Sequence, residues 1–255
     1  TGTATNGTFY FSTASTMEFR SGTTSGETLA WNKTVYVSSS ITGTLFVDHA
    51  AGSSAINQIN SFTAFYGAGT SGQTFTLTGR NGAGFYVGGL TSSQQPDNAP
   101  GLTINNSLGT GTTTIAGSVL QWDNTNTVAR TFTVGAAGGD VILTGSILAA
   151  QGSPGSINHK LTKTGIGTLT IQGVASTFTG DVTLSSGDNP SSTSGASGTT
   201  YITDFRSLGT SSAATINLGA NSTVTAILTI GVTGITPSLA GLTTTRVINL
   251  NTTTG

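Results

Sequence analysis

The sequence predicts an all-β chain wound as a β-solenoid, and three observations carry that prediction. Thr, Ser and Gly make up about half of the 255 residues, and apolar residues, 35% of the chain, fall in short alternating runs rich in β-branched side chains. Windows rich in Ala, Leu, Glu and Lys, which favour helix, are missing. Two stretches of chain also rhyme with each other at short, fairly regular spacing, which is the mark of stacked repeats. A disordered chain would be poorer in apolar and β-branched residues. Thr suits a pleated surface and keeps an exposed strand face soluble without charge.

The strand-like runs follow one another as Thr8–Phe11, Thr34–Ser38, Thr44–Val47, Phe62–Tyr66, Thr74–Thr78, Gly84–Val87 and Ser118–Trp122. They continue as Thr131–Val134, Val141–Thr144, Thr168–Gln172, Asp181–Ser185, Thr199–Thr203, Ala214–Leu218 and Thr223–Ile230. Gly, Asn, Ser and Asp punctuate them. In Thr74–Thr78 the alternation puts Phe75 and Leu77 on one face and Thr74, Thr76 and Thr78 on the other. By the same period Leu169, Ile171, Val182 and Leu184 point inward. Residues 94–101, with Pro96 and Pro100, and residues 185–200 lack an apolar period and read as loops within a single unit spanning 1–255. The pattern fits stacked parallel coils and equally two consecutive antiparallel sandwiches.

The rhyming stretches are Arg130–Val134 with Asp140–Ile147, and Lys160–Gly173 with Ser176–Gly187. Leu161-Thr-Lys-Thr-Gly-Ile-Gly-Thr-Leu-Thr-Ile-Gln-Gly173, continued by Phe178-Thr179-Gly180, closely resembles the autotransporter-associated β-strand repeat of bacterial surface proteins. Arg130–Ile147 and Ser207–Thr210 are similar to what borders that repeat. The resemblance implies a right-handed parallel β-helix outside the cell, with a structural or adhesive role. At roughly 20–25 residues per coil the chain would make about ten coils. At about 4.8 Å per coil the body would be near 50 Å long. Gly and Asn are expected at the tight corners, where positive φ is needed.

Charged residues are only 7% of the chain and the net charge is −1, which removes the electrostatic footprint expected for nucleic acid or an anionic membrane. No apolar stretch approaches the length of a membrane helix, so no membrane insertion by this segment is expected. The chain has no Cys, hence neither disulfides nor thiolate metal sites. No leader is visible, and export would require one outside this sequence.

Chemistry-bearing motifs are scarce, and no catalytic, cofactor-binding or metal-binding residue is assigned. Gly67-Ala-Gly-Thr-Ser-Gly72 fits G-x-G-x-x-G but leads into the run Gln73–Thr78 and not into a helix, so a phosphate would find no helix terminus. Asp48 and His49 are adjacent on a strand, face opposite sides and read as a surface turn. His159 reads as solvated. Asp140 and Asp181, with Lys160 and Lys163 between them in sequence, read as partners in surface ion pairs between neighbouring coils. Trp31, Trp122 and the five Tyr could form a sugar platform, but their wide spacing favours core packing or coil-end capping. Thr-x-Thr pairs recur too irregularly for an ice-binding face, and the Asn-x-Ser/Thr triplets at Asn6, Asn32, Asn105, Asn221 and Asn251 are expected by chance in so Thr-rich a chain.

The expected function is therefore non-catalytic: a structural part of a bacterial extracellular or cell-surface assembly, such as a fibre, stalk or layer. Its expected partners are copies of itself, head to tail or side by side, because neither terminal run carries a polar cap. The alternatives are an adhesin for a glycan or a neighbouring cell, and last a polysaccharide-active enzyme, which the scattered carboxylates disfavour.

Overall fold

The computed structural model describes residues 7–20, 22–38, 41–67, 74–88, 90–92, 103–106, 111–117, 119–121, 131–135, 139–149, 159–185, 198–210, 214–219, 226–232, 235 and 244–250. Among them, strands lie in three parallel sheets. The first sheet stacks β1 (Gly7–Phe11), β4 (Lys33–Val37), β7 (Ala64–Gly67), β10 (Leu90–Ser92), β13 (Val119–Gln121) and β16 (Ile147–Ala149). The second stacks β2 (Ser15–Arg20), β5 (Thr42–Asp48), β8 (Thr74–Gly79), β11 (Thr103–Asn106), β14 (Thr131–Gly135), β17 (Lys160–Thr164), β19 (Val182–Leu184), β21 (Ile216–Leu218) and β23 (Ile248–Leu250). The third stacks β3 (Thr28–Ala30), β6 (Ile59–Phe62), β9 (Gly84–Val87), β12 (Thr113–Ile115), β15 (Val141–Leu143), β18 (Leu169–Ile171), β20 (Gly198–Ile202) and β22 (Ala226–Ile230).

Through β18 the chain visits first, second and third sheet in fixed order, and beyond it alternates between the second and third. Each strand's partners lie one coil before and one coil after it, always parallel. Among the described residues consecutive strands never pair, which excludes the antiparallel sandwiches and leaves the β-solenoid.

Most coils are larger than the repeat of roughly 20–25 residues expected. One runs from Val141 to its partner Leu169, and another from Thr42 to its partner Thr74. The tightest is the segment that begins at Leu161. Leu161 already meets its partner at Val182, whereas Val182 meets its own only at Ile216. That segment makes one tight coil with no strand in the first sheet, where the residues after β18 hold β16 through Thr177 N to the Ile147 carbonyl at 3.0 Å. The nine strands of the second sheet span about 38 Å at about 4.8 Å per step, in place of about ten coils and 50 Å.

Period-two alternation sets what faces inward. Phe75, Leu77, Leu169, Ile171, Val182 and Leu184 are all buried as expected. Parallel register turns such residues into columns along the axis, as in Val87, Ile115, Leu143, Ile171 and Ile202, each fully buried. The core changes along that axis. Its early coils are aromatic, with Phe65 stacked on Phe75 at 4.7 Å and Phe19 edge-on to Phe62 at 5.4 Å, and its later coils are mostly aliphatic, with Phe178 a buried aromatic among them.

The outward Thr residues are mostly half-buried, because each lies beside the outward side chain of the coil above and below. Thr78 departs from the expectation. It is buried, with no partner for its hydroxyl, where β8 ends against the next corner. Corners use the residues anticipated: Asn32, Asn57 and Asn81 have φ of 51–60°.

Several expected strands are longer, shorter or divided. Phe62–Tyr66 is not one strand: β6 ends at Phe62 and β7 starts at Ala64, so the chain passes from third to first sheet at Thr63. β2, β3, β10, β11 and β12 are among the strands with no counterpart in the expected runs. The loop 94–101 lies outside the described residues, as does most of 185–200, whose last residues belong to β20 instead.

Candidate functional site

The few charged side chains define the sites on which any chemistry would depend, and the structure places them between coils. Asp140 stands just before β15, and its Oδ1 accepts the backbone N–H of Thr168, which holds the same place before β18 one coil on, at 2.8 Å. Asp181 repeats the device before β19, accepting from Thr215 N at 2.9 Å and Thr215 Oγ1 at 3.0 Å. Asp48 Oδ1 accepts Asn81 Nδ2 from the next coil at 2.8 Å and His49 N at 2.9 Å. Corner hydroxyls act likewise: Ser176 Oγ accepts Ile147 N, and Ser146 Oγ accepts Ala175 N, each at 3.0 Å. A carboxylate or hydroxyl at a corner supplies an acceptor where the strand ladder is interrupted.

The late coils carry a denser cluster. Asp204 is fully buried and caps a 3₁₀ turn, Phe205–Leu208, accepting from Arg206 N at 3.0 Å. It also takes Arg206 Nε at 3.1 Å and Nη2 at 2.6 Å, a bidentate pair that raises the Arg206 pKa. Arg246 is buried, and it donates Nε to the Ala214 carbonyl at 3.2 Å, Nη1 to that of Leu208, and Nη2 to those of Gly180 at 2.9 Å and Thr215 at 3.3 Å. By register Gly180, Ala214 and Arg246 occupy equivalent places on three successive coils, so one guanidinium ties the coil that bears it to the two before it. Burial pushes its pKa down and Asp181 opposes the shift.

Asp140 and Asp181 are not brought together: one borders the third sheet, the other the second. Asp181 does pair with Lys160 on the surface, at 3.9 Å, as expected for neighbouring coils. Lys163 corrects the same expectation. It stands in register between Val134 and Leu184, almost fully buried, with Nζ donating to the Gly165 carbonyl. Alternation from Leu161 puts it inside, and its long stem lets the ammonium return to backbone. His159 is buried and not solvated, at the corner whose carbonyl accepts Gly180 N at 2.7 Å. Asp48 is likewise buried and not on a surface turn, because Asn81 folds over it. Its contact with His49 Nε2 is long, at 3.8 Å, while His49 Nδ1 lies 2.9 Å from the Ala50 carbonyl. The G-x-G-x-x-G stretch joins β7 to β8, and residues 68–73 lie outside the described residues. No group of three His, Asp or Glu able to hold a metal occurs among the described residues. None of their helices is long and apolar enough to cross a membrane.

The tyrosines overturn the expectation of core packing. Tyr10, Tyr66, Tyr86 and Tyr201 are exposed. Tyr10, Tyr36 and Tyr66 fall in register on the outer face of the first sheet, where Tyr10 and Tyr36 stack at 4.7 Å. Burial, and next Tyr10, push the Tyr36 phenol up. Trp31 does pack, against Phe19 at 4.6 Å, with Nε1 donating to Asn60 Oδ1 at 2.9 Å; Trp122 lies outside the described residues. Sequence reasoning missed Arg246 and Asp204 altogether. The shared Gly-Asp-Val at 139–141 and 180–182 was the available signal for the two corner aspartates.

The Thr215 backbone bond is the main cause that holds Asp181 below the ordinary carboxylate range, with Thr215 Oγ1, Lys160 and Arg246 adding to it against desolvation. A carboxylate so shifted adds stability above its unfolded pKa of about 3.9 and loses it as pH falls through the lower folded value. Asp181→Asn is therefore expected to be slightly less stable than wild type at pH 7, by no more than about 1 kcal/mol for so exposed a pair, and to approach it as pH falls through the lowered folded pKa. Paired urea melts from pH 7 to 2 check this; a difference that stays constant with pH is the contrary result.

No family model, curated protein or solved structure matches the chain.

Proposed function

We propose that this chain is a non-catalytic structural segment of a bacterial extracellular or cell-surface assembly, a rigid rod whose partners are further copies of itself. One observation carries the reading: Asp48, Asp140, Asp181 and Arg246 are engaged in bonds to neighbouring coils, which leaves them to hold the rod and not to perform acid–base work. The resemblance of residues 161–180 to a surface-protein repeat supports the extracellular setting.

The route to assembly in this reading is β23, the last described rung of the second sheet. β23 has no further strand beside it among the described residues, and Val247, Ile248 and Leu250 are 60%, 39% and 67% exposed. Ile248 and Leu250 continue the columns of Ile216 and Leu218, so their exposed surface is apolar and aligned with the core. On the outer face Asn249 Nδ2 donates to Asn217 Oδ1 at 2.9 Å, an amide ladder that a further parallel strand would extend. An edge of this kind recruits another strand.

Light scattering and electron microscopy against concentration test the reading. Wild type is expected to grow into linear particles, and Val247→Lys with Leu250→Lys to stay monomeric at an unchanged melting temperature. A wild-type particle that remains monomeric at high concentration refutes self-assembly.

A further inference from the structure

A cleft of about 340 Å³ opens on the outer face of the third sheet, where β6, β9 and β12 begin. Tyr86, 40% exposed, and Ile59, also 40% exposed, give it apolar surface. Asn57, Thr112 and Thr114 give it an amide and two hydroxyls that no protein group takes up among the described residues. The gap exists because Gly84 follows Ile59 in the outward column. A Cβ there would run into the Thr112 carbonyl, so the two backbones close and no side chain fills the place. Asn57 is held at its corner in the left-handed conformation, with its N–H donating to the Asn81 carbonyl at 2.9 Å.

We propose that this cleft binds one ring of a neutral saccharide. A pyranose has an apolar face and a rim of hydroxyls. The Tyr86 ring offers the face a stacking partner, while Asn57, Thr112 and Thr114 offer the rim donors and acceptors. The volume lies within the range of small-ligand sites. No charged side chain among the described residues lines the cleft, which selects an uncharged sugar over an acidic one. Tyr201 lies on the same outer face with nearly the same exposure, 38%, but outside the cleft, and is the natural control.

The test titrates the 255-residue chain with maltotriose, cellotriose, chitotriose, mannotriose and an acidic hexauronate by calorimetry and saturation-transfer NMR. At least one neutral probe is expected to saturate with a Kd on the order of 1 mM or tighter. Tyr86→Ala and Thr112→Val should each weaken it about tenfold, and Tyr86→Phe should keep the stacking and most of the affinity. Tyr201→Ala and the hexauronate should leave binding unchanged, and all variants should melt as wild type does. The proposal is overturned if no neutral probe saturates, if Tyr86→Ala binds as wild type, or if Tyr201→Ala costs as much. The measurement is made on monomer or assembly alike, so its outcome is separate from that of self-assembly.

Discussion

Leu169→Asp is expected to abolish folding of the solenoid. Leu169 is fully buried in the third sheet, in register with Val141 on the coil before and Thr200 on the coil after. A carboxylate there either stays charged without a partner or takes up a proton at a cost, and in both cases it strands polar atoms among Ile171, Leu161 and Val182 of the same core. The loss exceeds about 4 kcal/mol, a large share of the stability of an ordinary domain. Each coil depends on its neighbours, so a failed rung separates the coils on either side of it. Circular dichroism and thermal melts read the result: no cooperative transition for Leu169→Asp, a transition lowered by about 2–5 kcal/mol for Leu169→Ala, and a shift within about 1 kcal/mol for outward-facing Thr170→Asp. A soluble Leu169→Asp protein melting as wild type does would overturn the inward register.

Arg246→Met is expected to cost about 3–5 kcal/mol, by loosening the last coils. Its apolar stem replaces that of Arg, but the carbonyls of Gly180, Leu208 and Ala214 lose their donor where water does not reach. Arg246→Lys should recover less than half of the loss, since a single ammonium cannot fork to carbonyls on two preceding coils. Hydrogen exchange localises the effect: amides of β21 and β23 should lose protection, while those of β5 and β8 keep theirs. Unchanged urea midpoints for Arg246→Met, or protection lost evenly along the rod, would show that the guanidinium is not a clamp.

Much of this molecule is legible in the amino-acid order, because its local rules are short-range. Alternation in Thr74–Thr78 and Thr168–Ile171 assigns each side chain to a face. Asn and Gly mark corners because φ is a property of one residue. Even Lys163 follows the alternation; a charge taken as a surface sign concealed it.

What remained hidden depends on register between coils. Connecting segments vary in length: one coil closes from Leu161 to Val182, and the next needs the whole stretch from Val182 to Ile216. No fixed spacing therefore aligns one rung with the next. Parallel stacking alone brings Tyr10 over Tyr36 and Asp140 to the N–H of Thr168. It also makes a cleft of Tyr86 and Asn57, whose coils differ. Arg246 is the extreme case: its partners are backbone carbonyls, which every residue owns, so no side-chain pattern can announce them. A strand's two faces are decided by its own residues, while its neighbours in the stack are decided only when the whole coil closes and the ladder selects which rungs meet.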